Sequence, residues 1–230
     1  MEPNKQNTFL IPFAIIVAGG FVAAAVYFGT GSSSPTTAIN TDNQSAEIDL
    51  APVTEKDHII GSRDAALVIV EYSDTECPFC KTFQNTMKEI VQTYEGEVAW
   101  VYRHFPIAQL HTKAAKESEA TECAAELGGN QAFWKYIDKV FETTSSNDSL
   151  DPSELPKIAT AIGLDVNAFN TCLSSGKYTE LVKKSVEEAI KAGALGTPYS
   201  VIVTKDGQKV LINGAEPIAM VKAKIDALLK

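Results

Sequence analysis

A buried-looking strand leads directly into a pair of closely spaced thiols, and this junction constrains the fold more than anything else in the chain. Ala65 to Tyr72 (AALVIVEY) is mostly apolar and rich in β-branched residues, and it ends at Ser73-Asp74. Such a run reads as a strand covered on both faces. Cys77-Pro78-Phe79-Cys80 follows, and then Phe83, Met87, Ile90, Val91 and Tyr94 recur at the spacing of a helical stripe. Pro78 suits the first turn of a helix, where its missing N–H costs nothing. Val98 to Tyr102 (VAWVY) reads as a second buried strand. Strand, helix and strand at this spacing make a βαβ unit.

The rest of the chain continues in the same register. His58 to Gly61 suits a short edge strand ahead of the first. Lys113 to Leu127 is a helical stretch ending at Gly128-Gly129, and Phe133, Ile137, Val140 and Phe141 mark another helix. Pro152 to Ile162, Asp165 to Gly176 and the stripe from Tyr178 to Ala189 give three more. Gly196-Thr197-Pro198 then precedes a strand from Tyr199 to Thr204. Asp206-Gly207 turns it into a second strand, Lys209 to Ile212, a strong hairpin signal. An amphipathic helix through Ile218, Val221, Ile225 and Leu228 closes the chain. The expected architecture is βαβ, a helical insertion over about 108–192, then ββα.

The first residues differ in character. Phe9 to Phe28 is an uncharged run of 20 residues. As a helix it would be about 30 Å long, the thickness of a bilayer core. Lys5 precedes it, and the next basic residue is Lys56. The positive-inside rule then leaves residues 1–8 as a cytoplasmic tip, 9–28 as a transmembrane anchor, and the remainder outside the cytoplasm. A cleaved signal peptide is the competing reading, but its apolar core would be shorter, about 7–15 residues. Ala23-Ala24-Ala25 offers such small residues, but they lie inside the run. Residues 29–54, rich in Ser, Thr, Asn and Ala, read as a flexible linker. Residues 55–230 remain as the folded domain, long enough to bury a core of its own. The net charge of −9 and the lack of clustered Lys and Arg argue against nucleic acid as a partner.

Two thiols separated by two residues at a helix start suit redox chemistry. The helix N-terminus presents free N–H groups and partial positive charge, which stabilise a thiolate at Cys77. One helical turn brings Cys80 near, able to resolve a mixed disulfide. Stabilising the thiolate stabilises the reduced form, so the disulfide form becomes a stronger oxidant. The alternative is half of a zinc site, but a second ligand pair is not seen: His58, His104 and His111 form none, and Cys123 and Cys172 stand alone. The lone histidines read as packed or capping residues. No metal or cofactor is expected. Glu71, counted in twos along the strand, shares a face with Leu67 and Ile69. Beneath the thiols it would serve as a proton acceptor for Cys80; at a strand end facing water it would do nothing. Pro198 at a strand entry can mark a cis bond, although few X–Pro bonds are cis.

At VIVEYSDTECPFC (68–80), YRHFP (102–106), CAAELGGNQAFWKYIDKVFE (123–142), CLSSGKY (172–178) and GTPYSVIVTKDG (196–207), the chain resembles the DsbA-like thioredoxin family, in particular its membrane-tethered DsbA/BdbD branch. The resemblance implies an α/β thioredoxin-like fold with a helical insertion, Cys77 as exposed nucleophile and Cys80 as its buried partner. It places Glu71 on the family's buried acid and Pro198 on its cis-proline, with the Thr197 backbone pairing with an extended client. Many relatives carry His where this chain has Phe79. Asp74 and Glu76 also sit beside Cys77 in sequence and would raise its pKa, so a milder oxidant is expected. Phe79, Thr197 and Pro198 would form an apolar rim for unfolded clients.

Outside the cytoplasm the remaining two thiols, Cys123 and Cys172, are expected to pair, the alternative being two free, buried cysteines. The implied activity is a protein disulfide oxidase acting as a monomer on reduced exported proteins and reoxidised by a quinone-linked membrane partner of the DsbB or VKOR type. A reductase or isomerase, or a non-catalytic holding module, are the rivals.

Overall fold

The computed structural model describes residues 48–230. In chain order they form β1 (His58–Ile60), β2 (Leu67–Ser73), α1 (Pro78–Thr93), β3 (Val98–His104), α2 (Ala114–Thr143), α3 (Glu154–Ala161), α4 (Val166–Ser175), α5 (Thr179–Lys191), β4 (Tyr199–Thr204), β5 (Lys209–Asn213) and α6 (Ile218–Leu228). One sheet runs in the order β1-β3-β2-β4-β5. Only β2 and β3 are parallel, as a helical crossover between them requires. The architecture is the expected thioredoxin-like one, with α2 to α5 inserted between its halves.

Side-chain alternation splits the core between the two faces of the sheet. Leu67, Ile69, Trp100 and Ile202 point toward Phe83, Met87 and Ile90 of α1 and Val221 and Ile225 of α6. Val70, Tyr72, Val101 and Val201 point the other way, toward Ala189 of α5. A fully buried Phe83 or Met87 contributes about 2–3 kcal/mol by area. A third cluster, around Tyr136, Leu155, Ile158 and Phe169, holds the insertion together.

The two helices expected on either side of Gly128-Gly129 are the two halves of α2, separated by a non-helical residue. Gly129 takes φ 68°, ψ −167°, a conformation that glycine alone adopts readily, and breaks α2 there. The break lets both halves bury a face. Cys123 and Ala124 point into the insertion cluster, and Phe133, Trp134 and Ile137 reach the sheet. Just past the kink, Asn130 clamps edge strand β1: its Oδ1 accepts from the Ile59 N–H (3.1 Å) and its Nδ2 donates to the Ile59 carbonyl (2.8 Å). The amide thus covers an edge otherwise open to strand pairing.

One boundary needs correction. Residues 48–54, read as linker, lie against the domain. Ile48, Leu50 and Val53 pack on the α5 side of the sheet. Buried Arg103 donates to the carbonyls of Ala51 and Pro52, each at 3.0 Å, and to Asp57 at 2.8 Å. The polar composition of 29–54 hid three apolar side chains spaced to meet a sheet face. The expected anchor at 9–28 lies outside the described residues, among which no helix is long and apolar enough to cross a membrane.

Candidate active site

β2 ends at Ser73, and residues 74–76 turn the chain into α1. Cys77 is the N-cap residue, with extended backbone (φ −79°, ψ 122°), and Pro78 follows at the first helical position. Cys80 lies one turn in. Both are free thiols. Cys80 is completely buried, while Cys77 keeps 6% of its surface open, so the expected exposed nucleophile is reachable only through a narrow opening. Phe79, between them, is 64% exposed.

The two sulfurs are electrostatically unequal. Cys77 is lowered from 9.0 to about 6, chiefly by the hydrogen bond from the Cys80 thiol, against the opposing effect of burial, with further help from Thr197 and the N–H groups of Cys80 and Phe79. Cys80 is pushed well above the ordinary thiol value, first by burial and then by the neighbouring Cys77 and Glu71. At neutral pH the outer sulfur is therefore a thiolate and the inner one a thiol, the assignment that exchange chemistry needs. The Asp74 N–H lies 3.4 Å from the Cys80 sulfur. Across the opening stands the Thr197–Pro198 peptide, which is cis, and the Thr197 carbonyl oxygen is 3.5 Å from the Cys77 sulfur.

Glu71 lies under the pair, fully buried, and does not face water. Its Oε2 accepts from the Trp100 indole N–H at 2.9 Å. Burial lifts its carboxyl from 4.5 to about 7, against the smaller opposing effects of the nearby Ser73 hydroxyl and the Trp100 hydrogen bond. The raised value has a consequence for stability. The folded chain holds this proton where the unfolded chain has lost it, so stability falls as pH rises from about 4.5 to about 7. Glu71→Gln, which keeps the Trp100 bond without the charge, is expected to stabilise the reduced protein by about 3 kcal/mol at pH 8 and hardly at all at pH 4. Urea unfolding at the two pH values checks this, and an equal effect at both would remove burial of the charge as the cause.

The acidic residues flanking Cys77 are placed otherwise than their sequence positions suggested. Asp74 accepts from the Ile107 N–H (2.7 Å) and lies 2.9 Å from His111 Nδ1. Glu76 accepts from the Thr144 hydroxyl and from the N–H groups of Ser149 and Leu150, all at 2.9–3.0 Å. Both carboxylates are fully buried and engaged with the insertion, and Cys77 is lowered rather than raised. Between them, the Thr75 hydroxyl donates to Glu117 at 2.6 Å. Burial pushes Glu117 up to about 8. Sequence reasoning missed Glu117 and also Glu122, which bonds His58 and His104.

Cys123 of α2 and Cys172 of α4 are disulfide-bonded, with Sγ–Sγ 2.00 Å and Cα–Cα 5.8 Å. Phe133, Trp134 and Phe141 lie in the core beside the sheet.

A sheet carrying an N-capping thiolate and a buried resolving thiol defines a thiol–disulfide oxidoreductase. The family model described as Thioredoxin matches residues 53–226, and the chain belongs to that family, as a DsbA-like member. DsbA2 of Pseudomonas aeruginosa superposes with a TM-score of 0.67 at 28% identity, covering 77% of this chain and 97% of that one. BdbD of Bacillus subtilis shares the fold, with a TM-score of 0.67 at 20% identity over 79% of this chain and 97% of its own. Among curated relatives, the Na(+)/H(+) antiporter NhaA 3 of Salinispora tropica is 33% identical over 144 residues, which are 63% of this chain but 21% of the antiporter. An antiporter NhaA 1 of Mycobacterium sp. (strain KMS) is 36% identical over 146 residues, or 63% and 23%. The chain thus spans less than a quarter of these relatives' length.

Proposed function

We propose that this oxidoreductase works as a disulfide oxidase outside the cytoplasm, held to the membrane by residues 9–28, with Cys77 as the attacked sulfur and Cys80 as the resolving one. The observation that supports it is the split between the sulfurs: a Cys77 thiolate stabilised at its helix N-terminus favours the reduced enzyme, and so favours passing the disulfide on. A client thiolate attacks Cys77 and Cys80 departs. A second client thiol then displaces Cys77, leaving an oxidised client and a reduced enzyme. A quinone-linked partner of the DsbB or VKOR type reoxidises the pair. Clients are reduced exported proteins, and the enzyme acts as a monomer.

Two measurements on the full chain test this reading. Oxidised enzyme should restore activity to a reduced, unfolded client. Equilibration with glutathione should give a potential well above the thioredoxin value of about −270 mV, and a value at or below it would assign the protein to reduction instead. Because Asp74 and Glu76 are tied up elsewhere, only the absence of a His between the cysteines still argues for a milder oxidant.

Phe79 and the fully exposed Leu195, which lies in the loop leading to Pro198, form the client rim in this reading. Removing the ring in Phe79→Ser forgoes about 1.5–3 kcal/mol of apolar burial, roughly a tenfold or greater rise in KM for an unfolded client. Reaction with dithiothreitol, which is too small to use the rim, should be unchanged. An equal loss with both substrates would place Phe79 in the chemistry rather than in client binding.

A further inference from the structure

Three carboxyl groups meet where the chain turns into α1. Asp74 and Glu76 come from the turn itself and Glu117 from the first turn of α2, and none is more than 2% exposed. Three anions are strongly disfavoured in a site sealed from water, because burial and like charge both favour the protonated form. The donors around each carboxyl show which one keeps a proton. Asp74 accepts from the N–H groups of Glu76 (2.8 Å) and Ile107 (2.7 Å) and faces His111 Nδ1 at 2.9 Å. Glu76 accepts from the Thr144 hydroxyl and from the N–H groups of Ser149 and Leu150. Glu117 has the Thr75 hydroxyl alone, on Oε2, and its buried Oε1 has no partner. Several donors hold a carboxylate charged, so Asp74 and Glu76 are the anions and Glu117 is the acid.

The cations nearby are engaged elsewhere. Lys81 of α1 gives its ammonium group to the Thr144 carbonyl, and Lys113 of α2 gives its own to the carbonyls of Asp148 and Leu150. His111 is taken by Asp74. Tyr136, which faces Glu117 from the second half of α2, donates to the Leu155 carbonyl at 2.9 Å. Burial therefore lifts Glu117 from 4.5 to about 8; the Thr75 bond opposes the rise, and the charges of Glu76 and Asp74 add to it. Below about pH 8 the group is neutral, and above it a third negative charge enters the cluster.

The same turn sets both sulfurs. The Cys77 N–H donates to the Asp74 carbonyl (3.2 Å), the Asp74 N–H lies 3.4 Å from the Cys80 sulfur, and the Glu76 carbonyl accepts from the Asn147 N–H (2.7 Å). We propose that Glu117 is a positioning residue for Cys77: as a neutral acid it lets Asp74 and Glu76 stay buried and charged, and its ionisation loosens the turn that presents the thiolate. The proposal rests on Cys77 being the attacked sulfur. Interaction between titrating groups is mutual, so an ionised Glu117 disfavours the charged forms of Asp74 and Glu76 as much as they disfavour its own. The anchors of the turn then give way, and the Cys77 thiolate loses part of its support. Less support for the thiolate makes the reduced form less stable and the disulfide a weaker oxidant. The effect holds whichever way the pair runs.

The test compares the full chain with Glu117→Gln, which is neutral at every pH, in equilibrium with glutathione from pH 6 to pH 9.5. The two constants should agree at pH 6. At pH 9.5 the wild type should be the weaker oxidant by about tenfold, the equivalent of one pKa unit, with the divergence centred near pH 8. Titration of the sulfurs, of Glu71 and of glutathione is common to both proteins and cancels in the ratio. A merely structural role would shift the variant equally at all pH values, and a ratio that does not change with pH would overturn the proposal. Thr75→Val carries the test if Glu117→Gln does not fold. The Thr75 bond lowers Glu117, so its loss should move the wild-type decline to higher pH, and an unmoved midpoint would also overturn the proposal. Iodoacetamide at pH 7 should label Cys77 and spare Cys80. Label on Cys80 instead would overturn the assignment of the sulfurs, whereas the ratio tests Glu117 alone.

Discussion

Cys77→Ser is expected to reduce client oxidation to the uncatalysed rate, while Cys80→Ala accumulates a mixed disulfide that does not resolve. The asymmetry comes from burial and charge. Cys77 is the sulfur with open surface, lowered to about 6, whereas Cys80 has no open surface and is pushed far up. A serine hydroxyl at 77 cannot hold a disulfide, and Cys80 cannot take over, because no client sulfur can approach it in line. Non-reducing gels with a disulfide-bonded client, whose disulfide the Cys77 thiolate attacks with release of one client thiol, would show the Cys80→Ala adduct and none for Cys77→Ser. An adduct in Cys77→Ser would mean that the inner thiol is reachable, and the roles assigned here would have to be exchanged.

The second large effect is on stability. Replacing Cys123 and Cys172 together by Ala opens a crosslink between residues 49 positions apart. In the loop-closure account this costs about 4 kcal/mol. For a domain of this size that is a fall in Tm of roughly 10 °C. Activity at 25 °C should survive, since neither sulfur lies near Cys77. Calorimetry under oxidising conditions gives the number. A shift below about 2 °C would mean that the unfolded chain is already compact around this link. Loss of activity without unfolding would mean instead that the insertion transmits its order to the catalytic turn.

The parts of the protein that depend on local pattern were readable before any coordinates. The β2–α1–β3 unit follows from a β-branched run, a proline at the first helical position and a regular apolar stripe. The β4–β5 hairpin follows from Asp206-Gly207. The break at Gly129 was visible as a glycine pair between two helical stripes. What could not be read depends on which distant residues meet. His58, His104 and Glu122 come from three elements, and their convergence is set by strand register and by the rotation of α2. Asp74 and Glu76 misled because closeness in sequence was taken for closeness to sulfur, when the turn aims both side chains into the insertion. Ile48, Leu50 and Val53 were lost in a polar stretch because their apolar partners lie on β-strands far along the chain. The thiol pair itself was fully legible, because a helix start and a spacing of three residues are enough to state its geometry.

The turn before Cys77 grips the insertion at three separate places: Asp74 at the segment after β3, Thr75 at the first turn of α2, and Glu76 at the loop between α2 and α3. This binds the fate of two regions that look separable on a topology diagram. A chimera that grafts another relative's helical segment onto this sheet would leave the turn without its moorings unless residues 74–76 and their three receivers travelled as a set. The segment and the turn should therefore be inherited together, and engineers who wish to retune the pair will find the handles some distance away, on α2 and the loop that follows it.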